Sequence, residues 1–151
     1  MLLSFLIAAA LVAICFFVHA AVLHRLAKII MRSERPLKRP VRTVLFCIFA
    51  AHLVEAVVYA IGITLIVSAG SGSLAGEVGS KDGWVLEHFY FSLASYTSLG
   101  IGDIIPHGGL RLLAGIEALN GLVLIAWSAS FTYLTMERFW SIGGPSQRPD
   151  G

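Results

Sequence analysis

Three stretches of the chain, 2–23, 41–69 and 110–136, each run for more than twenty residues with almost no charge, and this pattern decides most of what the chain can become. A helix rises about 1.5 Å per residue, so about 20 apolar residues cross the roughly 30 Å hydrocarbon core of a bilayer. Each stretch meets that length, and together they leave no room for a separate soluble domain. With 57% hydrophobic and 13% charged residues among 151, and a mean hydropathy of +0.82, an ordinary soluble domain is excluded. The expected fold is an all-α membrane protein with three transmembrane helices. Val18-His19-Ala20 resembles a signal cleavage site, but no positive charge precedes it and the basic residues follow it, so a retained span is expected. Cys15 and Cys47 both fall inside spans and read as small buried apolar residues rather than as a disulfide.

Charge gives the topology. Of the 11 Lys and Arg residues, 7 lie between His24 and Arg42, against one acid, Glu34. The positive-inside rule therefore puts the linker 24–42 in the cytoplasm. The N-terminus is then outside, the second span runs outward, 70–106 faces outside, and the third span returns to leave 137–151 inside as a disordered tail. Leu26, Ile29 and Ile30 recur at helical spacing between the charges, so the first helix can continue along the membrane surface until Pro36 and Pro40 interrupt it. The basic linker reads as an ordinary cytoplasmic loop in preference to a dedicated anionic-lipid site. No nucleotide- or calcium-binding regulatory domain is expected within these residues.

Between the second and third spans, 70–83 is rich in Gly and Ser and reads as a flexible turret. Asp82 is placed to cap a helix beginning at Trp84, and Val85, Leu86, Phe89, Tyr90 and Leu93 recur at helical spacing through a pore helix over 84–97. That helix is too short to cross a bilayer. A half-length helix followed by extended backbone is tolerated at membrane depth only when buried in protein or lining water, as in a re-entrant pore loop. The run Ser98-Leu99-Gly100-Ile101-Gly102-Asp103 follows it. Gly100 and Gly102 in alternation permit backbone conformations in which successive carbonyls face one way and replace the water around a small cation.

These residues resemble the tetrameric potassium channels, whose pore signature reads Thr-Val-Gly-Tyr-Gly-Asp at the end of a short pore helix. The resemblance covers Trp84 to about Met136 and leaves the first span outside it. It implies a homotetramer in which the carbonyls of Ser98, Leu99, Gly100 and Ile101, with the Ser98 hydroxyl, line K⁺ sites. Thr97, Gly102 and Asp103 then support the filter and its outer mouth, and Tyr90 stands where many family members have an aromatic donor for the filter aspartate. Gly121 falls where the family often has a hinge glycine, although close packing alone also explains a glycine in a membrane helix. Ile101 is a departure, because the family usually carries an aromatic brace there, and strict K⁺ over Na⁺ selectivity turns on it.

The remaining polar residues lie inside the spans. His52 and Glu55 are three apart on one helix face near mid-bilayer, where an unpaired charge is costly, and His19 and Trp127 or Ser128 fall at comparable depth. An interhelical polar cluster of His19, His52, Glu55 and Ser128 is expected, as a structural network in preference to a proton or gating sensor. Glu117 lies about 9 Å below the outer end of the third span and is expected to brace the filter through Ser95, Tyr96 or Thr97, with a position facing the cavity as the alternative. No span carries regularly spaced arginines, so a voltage sensor has no support. No arrangement of Ser, His, Asp or Cys suggests an enzyme.

The reading is a passive, K⁺-preferring channel in the plasma membrane, with permeant K⁺ in the filter, no cofactor, the lipid bilayer and further copies of the chain as partners, and no nucleic acid. The alternatives are a weakly selective monovalent cation channel and a non-conducting accessory membrane subunit.

Overall fold

The computed structural model describes residues 2–32, 40–76 and 84–142. In chain order they form α1 (Leu2–Arg32), α2 (Pro40–Ser68), β1 (Gly72–Gly76), α3 (Trp84–Tyr96), β2 (Ile104–Gly108) and α4 (Leu110–Ile142). Helices α1, α2 and α4 are about 43–50 Å long at 1.5 Å per residue, and each is long and apolar enough to cross a membrane. The chain is a multi-pass membrane protein of the all-α class. Helix α3, about 20 Å long, cannot cross and packs instead against both α2 and α4. Helix α1 also packs against α2 and α4.

The three long helices are apolar nearly all round, so composition does not mark their inward faces. Burial does. On α1 the stripe Ser4, Ala8, Leu11, Cys15, His19, Leu23 and Leu26 recurs every three or four residues and faces its neighbours. One core joins part of that stripe to Tyr59, Ile63 and Ile66 of α2, Phe91 and Tyr96 of α3, and Leu110, Leu113 and Leu124 of α4. The opposite faces carry Phe5, Phe17, Phe46, Phe49 and Leu65, which are exposed in the single chain.

Several boundaries differ from the sequence reading. Helix α1 passes the end of the first span at residue 23, a continuation that the helical spacing of Leu26, Ile29 and Ile30 allows, and runs to Arg32, because Leu23 and Leu26 keep packing against Val44 and Ile48 of α2 and hold the helix in register through the basic residues. Helix α2 begins at Pro40, a residue suited to the first turn, where its missing N–H has no partner to lose. Helix α4 passes residue 136 and reaches Ile142, just before Gly143, Gly144 and Pro145, the first strong breakers after Leu110 apart from the interior Gly115 and Gly121. The turret is not wholly irregular: β1 pairs antiparallel with β2, Gly72 opposite Gly108 and Gly76 opposite Ile104. This ribbon ties the C-terminal end of α2 to the chain that follows the glycine-bearing run. Asp82 and most of the tail lie outside the described residues.

Candidate functional site

Helix α3 ends at Tyr96, one residue earlier than its apolar spacing suggests, and the way it ends shapes the run that follows. The Ser98 N–H donates to the Ser95 carbonyl at 2.9 Å and the Leu99 N–H to the Ala94 carbonyl at 2.9 Å. These are the two bonds of a Schellman cap, and Ser98 occupies its left-handed position with φ of 57°. Glycine usually takes that position, which is why a serine there gave no sequence signal. The Gly100 N–H also points back to the Ala94 carbonyl, at 3.3 Å, and the Thr97 hydroxyl donates to the Leu93 carbonyl at 2.7 Å.

The cap fixes where carbonyls point. In a planar trans peptide the N–H and the preceding C=O lie on opposite sides, and no peptide bond here is cis. With the N–H groups of Ser98, Leu99 and Gly100 turned toward the end of α3, the carbonyls of Thr97, Ser98 and Leu99 must face away from it. Gly100 and Gly102 continue the pattern with φ of 53° and 86°, while Leu99 and Ile101 keep φ of the ordinary sign. An alternation of φ sign is the backbone form in which successive carbonyls share one side and the N–H groups the other. Residues 97–103 are all exposed in the single chain.

At the C-terminal end of this run the Tyr90 hydroxyl donates to Asp103 Oδ2 at 2.8 Å, and Asp103 Oδ1 accepts the Ile104 N–H at 2.9 Å. The hydrogen bond to the carboxylate, more than any burial, pushes the Tyr90 phenol above its ordinary range, so Tyr90 remains a donor through neutral pH. Asp103 thus joins the start of β2 to the middle of α3.

Behind the run, Glu117 of α4 is fully buried against α3. It does not meet Ser95, Tyr96 or Thr97. Its partner is Ser92, one turn earlier, at 2.5 Å, because α4 has descended only far enough to reach the middle of α3. The Ser92 hydroxyl also contacts the Ala56 carbonyl of α2 at 2.8 Å. One hydroxyl carries one proton, so both contacts are hydrogen bonds when Glu117 donates to Ser92 and Ser92 donates to Ala56. One turn further along α4, Gly121 lies against the end of α3: a Cβ there would stand 2.1 Å from the Tyr96 carbonyl oxygen. Helix α4 passes through Gly121 without interruption, so in this conformation the glycine serves close approach rather than a bend.

A second polar group lies deeper. Glu55 Oε1 meets His19 Nδ1 at 2.8 Å, and Glu55 Oε2 meets His52 Nδ1 at 3.2 Å. Ser128 Oγ lies 3.0 Å from His19 Nε2 and 3.0 Å from His52 Nε2. The Trp127 ring packs on His19 with centroids 5.5 Å apart. Tyr96, which sequence reasoning did not include, completes the group: its hydroxyl donates to Glu55 Oε2 at 2.5 Å and lies 2.8 Å from His52 Nδ1. The signal available for it was a hydroxyl-bearing aromatic on the last turn of a short helix, level with His52. His19, His52 and Glu55 bring ligand atoms within 4.8 Å of one another, a donor set of the kind that holds a transition metal, but each imidazole nitrogen already faces a hydrogen-bond partner.

Two further bonds, also missed from sequence, tie the scaffold: the Asn120 amide donates to the Tyr59 hydroxyl at 3.0 Å, and His88 Nδ1 contacts Thr64 Oγ1 at 2.8 Å. Because the Thr64 hydroxyl donates to the Ala60 carbonyl, His88 must be the donor to Thr64.

A family model described as "Ion channel" matches residues 43–138, which take in nearly all of α2, the capped run and most of α4. No curated protein and no solved structure gives a significant match.

Proposed function

Because the chain belongs to this ion-channel family, we propose that it is a passive, K⁺-preferring channel whose filter is the backbone of Ser98-Leu99-Gly100-Ile101-Gly102-Asp103. The observation that carries this reading is the capped, sign-alternating run: three N–H groups turned back onto α3, hence carbonyls turned outward, continued by left-handed Gly100 and Gly102. Ions would be held by the carbonyls of Ser98, Leu99, Gly100 and Ile101 and by the Ser98 hydroxyl. Thr97, Gly102 and Asp103, with Tyr90 and Glu117 behind them, would support the filter. Helix α3 would aim its partly negative C-terminus at a cation in the cavity.

One chain presents this run on an exposed surface, and bare polar backbone at membrane depth needs protein or water around it. Several copies around one axis supply both, and a homotetramer is the proposed assembly. The basic residues between α1 and α2 favour a cytoplasmic position for that linker and for the C-terminus in a plasma membrane, with the N-terminus and the ribbon outside.

A weakly selective cation channel is the second reading, favoured by Ile101, which is 56% exposed and offers no hydroxyl to bind the filter to α3. Flux through purified protein in liposomes under K⁺ and Na⁺ gradients separates the two. Gly100→Ala is the control. Within its own chain a Cβ meets nothing within 4 Å there, so within the subunit alanine acts through the left-handed backbone, at about 1–2 kcal/mol. Reduced flux is expected, and unchanged flux would overturn the filter assignment.

A further inference from the structure

The deep polar group closes on itself. Taken in order, Glu55, His19, Ser128, His52 and Tyr96 form a ring drawn from all four helices, with five contacts of 2.5–3.0 Å between successive members. Each contact is a hydrogen bond only if one proton lies in it. An anionic glutamate, two neutral imidazoles, one serine and one tyrosine supply four. Tyr96 gives its proton to Glu55, His52 Nδ1 gives one to the Tyr96 oxygen, His19 Nδ1 gives one to Glu55, and Ser128 has one proton for two bare Nε2 atoms. One imidazole nitrogen then faces an oxygen lone pair. The weaker 3.2 Å approach of His52 Nδ1 to Glu55 shares a proton already counted.

A fifth proton closes the ring. With it, His19 Nε2 donates to Ser128, Ser128 donates to His52 Nε2, and every atom of the ring has a partner. That proton can sit on His19, or on Glu55 donating back to His19 Nδ1, without altering any contact. The total charge points to the same number. His19 and Glu55 are fully buried, Ser128 and Tyr96 nearly so, and the four-proton state would leave a net negative charge in the middle of the membrane. The other titratable groups facing the ring are Cys15 of α1 and Tyr59 of α2, with Glu117 of α4 beyond them, and none of the three brings a positive charge. Hydrogen bonding and charge, which are separate requirements, both ask for one added proton.

We propose that this ring is a proton-binding site that holds one exchangeable proton per subunit, and that releasing it at alkaline pH lowers conduction by loosening the end of the pore helix. The route is short. Tyr96 is both a ring member and the last residue of α3, its carbonyl bears on Gly121 of α4, and the filter begins two residues later. His52, with 18% of its side chain exposed, is the most exposed member of the ring. The native chain binds a proton that the unfolded chain releases, so stability falls as pH rises through the titration of the ring. The conduction half of the proposal rests on the channel reading; the proton count does not.

Glu55→Gln supplies the test. A glutamine amide donates to His19 Nδ1 and accepts from Tyr96, which closes the ring without charge and without an added proton. The parent protein is expected to lose both K⁺ current and thermal stability between neutral and alkaline pH, and Glu55→Gln, in which the buried Glu117 still titrates, is expected to lose markedly less of each. Ring-nitrogen NMR of histidine-labelled parent protein in bilayers gives an arm that needs no variant. At neutral pH it should find either an imidazolium in the ring or a carbonyl signal for protonated Glu55, and should lose that proton in a single step on alkalinisation. Two neutral imidazoles beside an ionised Glu55 at neutral pH would overturn the proposal, as would a Glu55→Gln channel with the alkaline response of the parent. Absence of current from either protein refutes the conduction half and the channel reading together, while the NMR and stability arms still decide the proton count.

Discussion

Replacing Gly121 by alanine separates a glycine used for packing from a glycine used as a hinge. The added Cβ would stand 2.1 Å from the Tyr96 carbonyl oxygen and 3.0 Å from its carbon, where ordinary contact begins at 3.4 Å. More than about 1 Å must be found, and because the obstacle is backbone, no side chain can swing aside. Overpacking of this kind typically costs about 1–3 kcal/mol, here once per subunit. Alanine also gains about 1 kcal/mol over glycine as a helix former, which masks part of the collision. Gly115 reduces that ambiguity: it lies on the same helix with nothing of its own chain within 4 Å of its would-be Cβ, so within the subunit Gly115→Ala carries the propensity gain alone. The difference between the two variants isolates the collision, about 5- to 150-fold in the unfolding equilibrium. Denaturant unfolding of the detergent-solubilised protein, followed by tryptophan fluorescence, measures it. Gly121→Ala should also lower unitary conductance, because the displaced atom belongs to the residue just before Thr97. If the two variants have equal stability and Gly121→Ala alters only opening and closing rates, the packing argument is wrong and the hinge reading gains.

Ser98→Gly keeps the left-handed cap while removing about 1–2 kcal/mol of backbone strain, so the protein should become more stable and, having lost a hydroxyl at the proposed filter, should conduct differently; a loss of stability would contradict the cap. Tyr90→Phe removes the donor to Asp103 and should lower the K⁺ to Na⁺ permeability ratio read from reversal potentials. The raised Tyr90 phenol fixes the sign of its pH dependence: its contribution is complete below the ordinary tyrosine range and is lost only as pH rises through the higher folded value. The ratio in parent protein should therefore stay constant through neutral pH and fall only at strongly alkaline pH, and Tyr90→Phe should abolish that fall.

Three spans and a half-length helix were legible because length and apolarity are properties of the chain itself. Which faces turn inward was not, since helices apolar on every side have no pattern for periodicity to find. The rise per residue puts His19, His52, Glu55 and Ser128 at one depth, but whether their atoms meet depends on helix rotation, which only packing sets. Tyr96 was missed for that reason. Ser92 in place of Ser95 as the partner of Glu117 has the same origin, a matter of one turn in how far α4 descends beside α3. The ribbon was hidden because Gly72 to Gly76 carries loop composition and becomes a strand only through its pairing with residues 28 to 36 positions away. Ser98 was hidden by its side chain, since a left-handed φ is signalled by glycine and here the cap bonds impose it on a serine.

Those cap bonds divide the run mechanically. The N–H groups of Ser98, Leu99 and Gly100 are held by carbonyls of α3, so rotating any of these peptides breaks a helix cap as well as a carbonyl row. Among the described residues, no backbone acceptor holds the N–H of Ile101 or Gly102, and the next anchor is the Asp103 carboxylate. The first half is thus as stiff as the helix it caps, and the second half is a short span hung between two fixed points. Any change of carbonyl direction begins there, and the single bond from Tyr90 to Asp103 sets how much slack that span has.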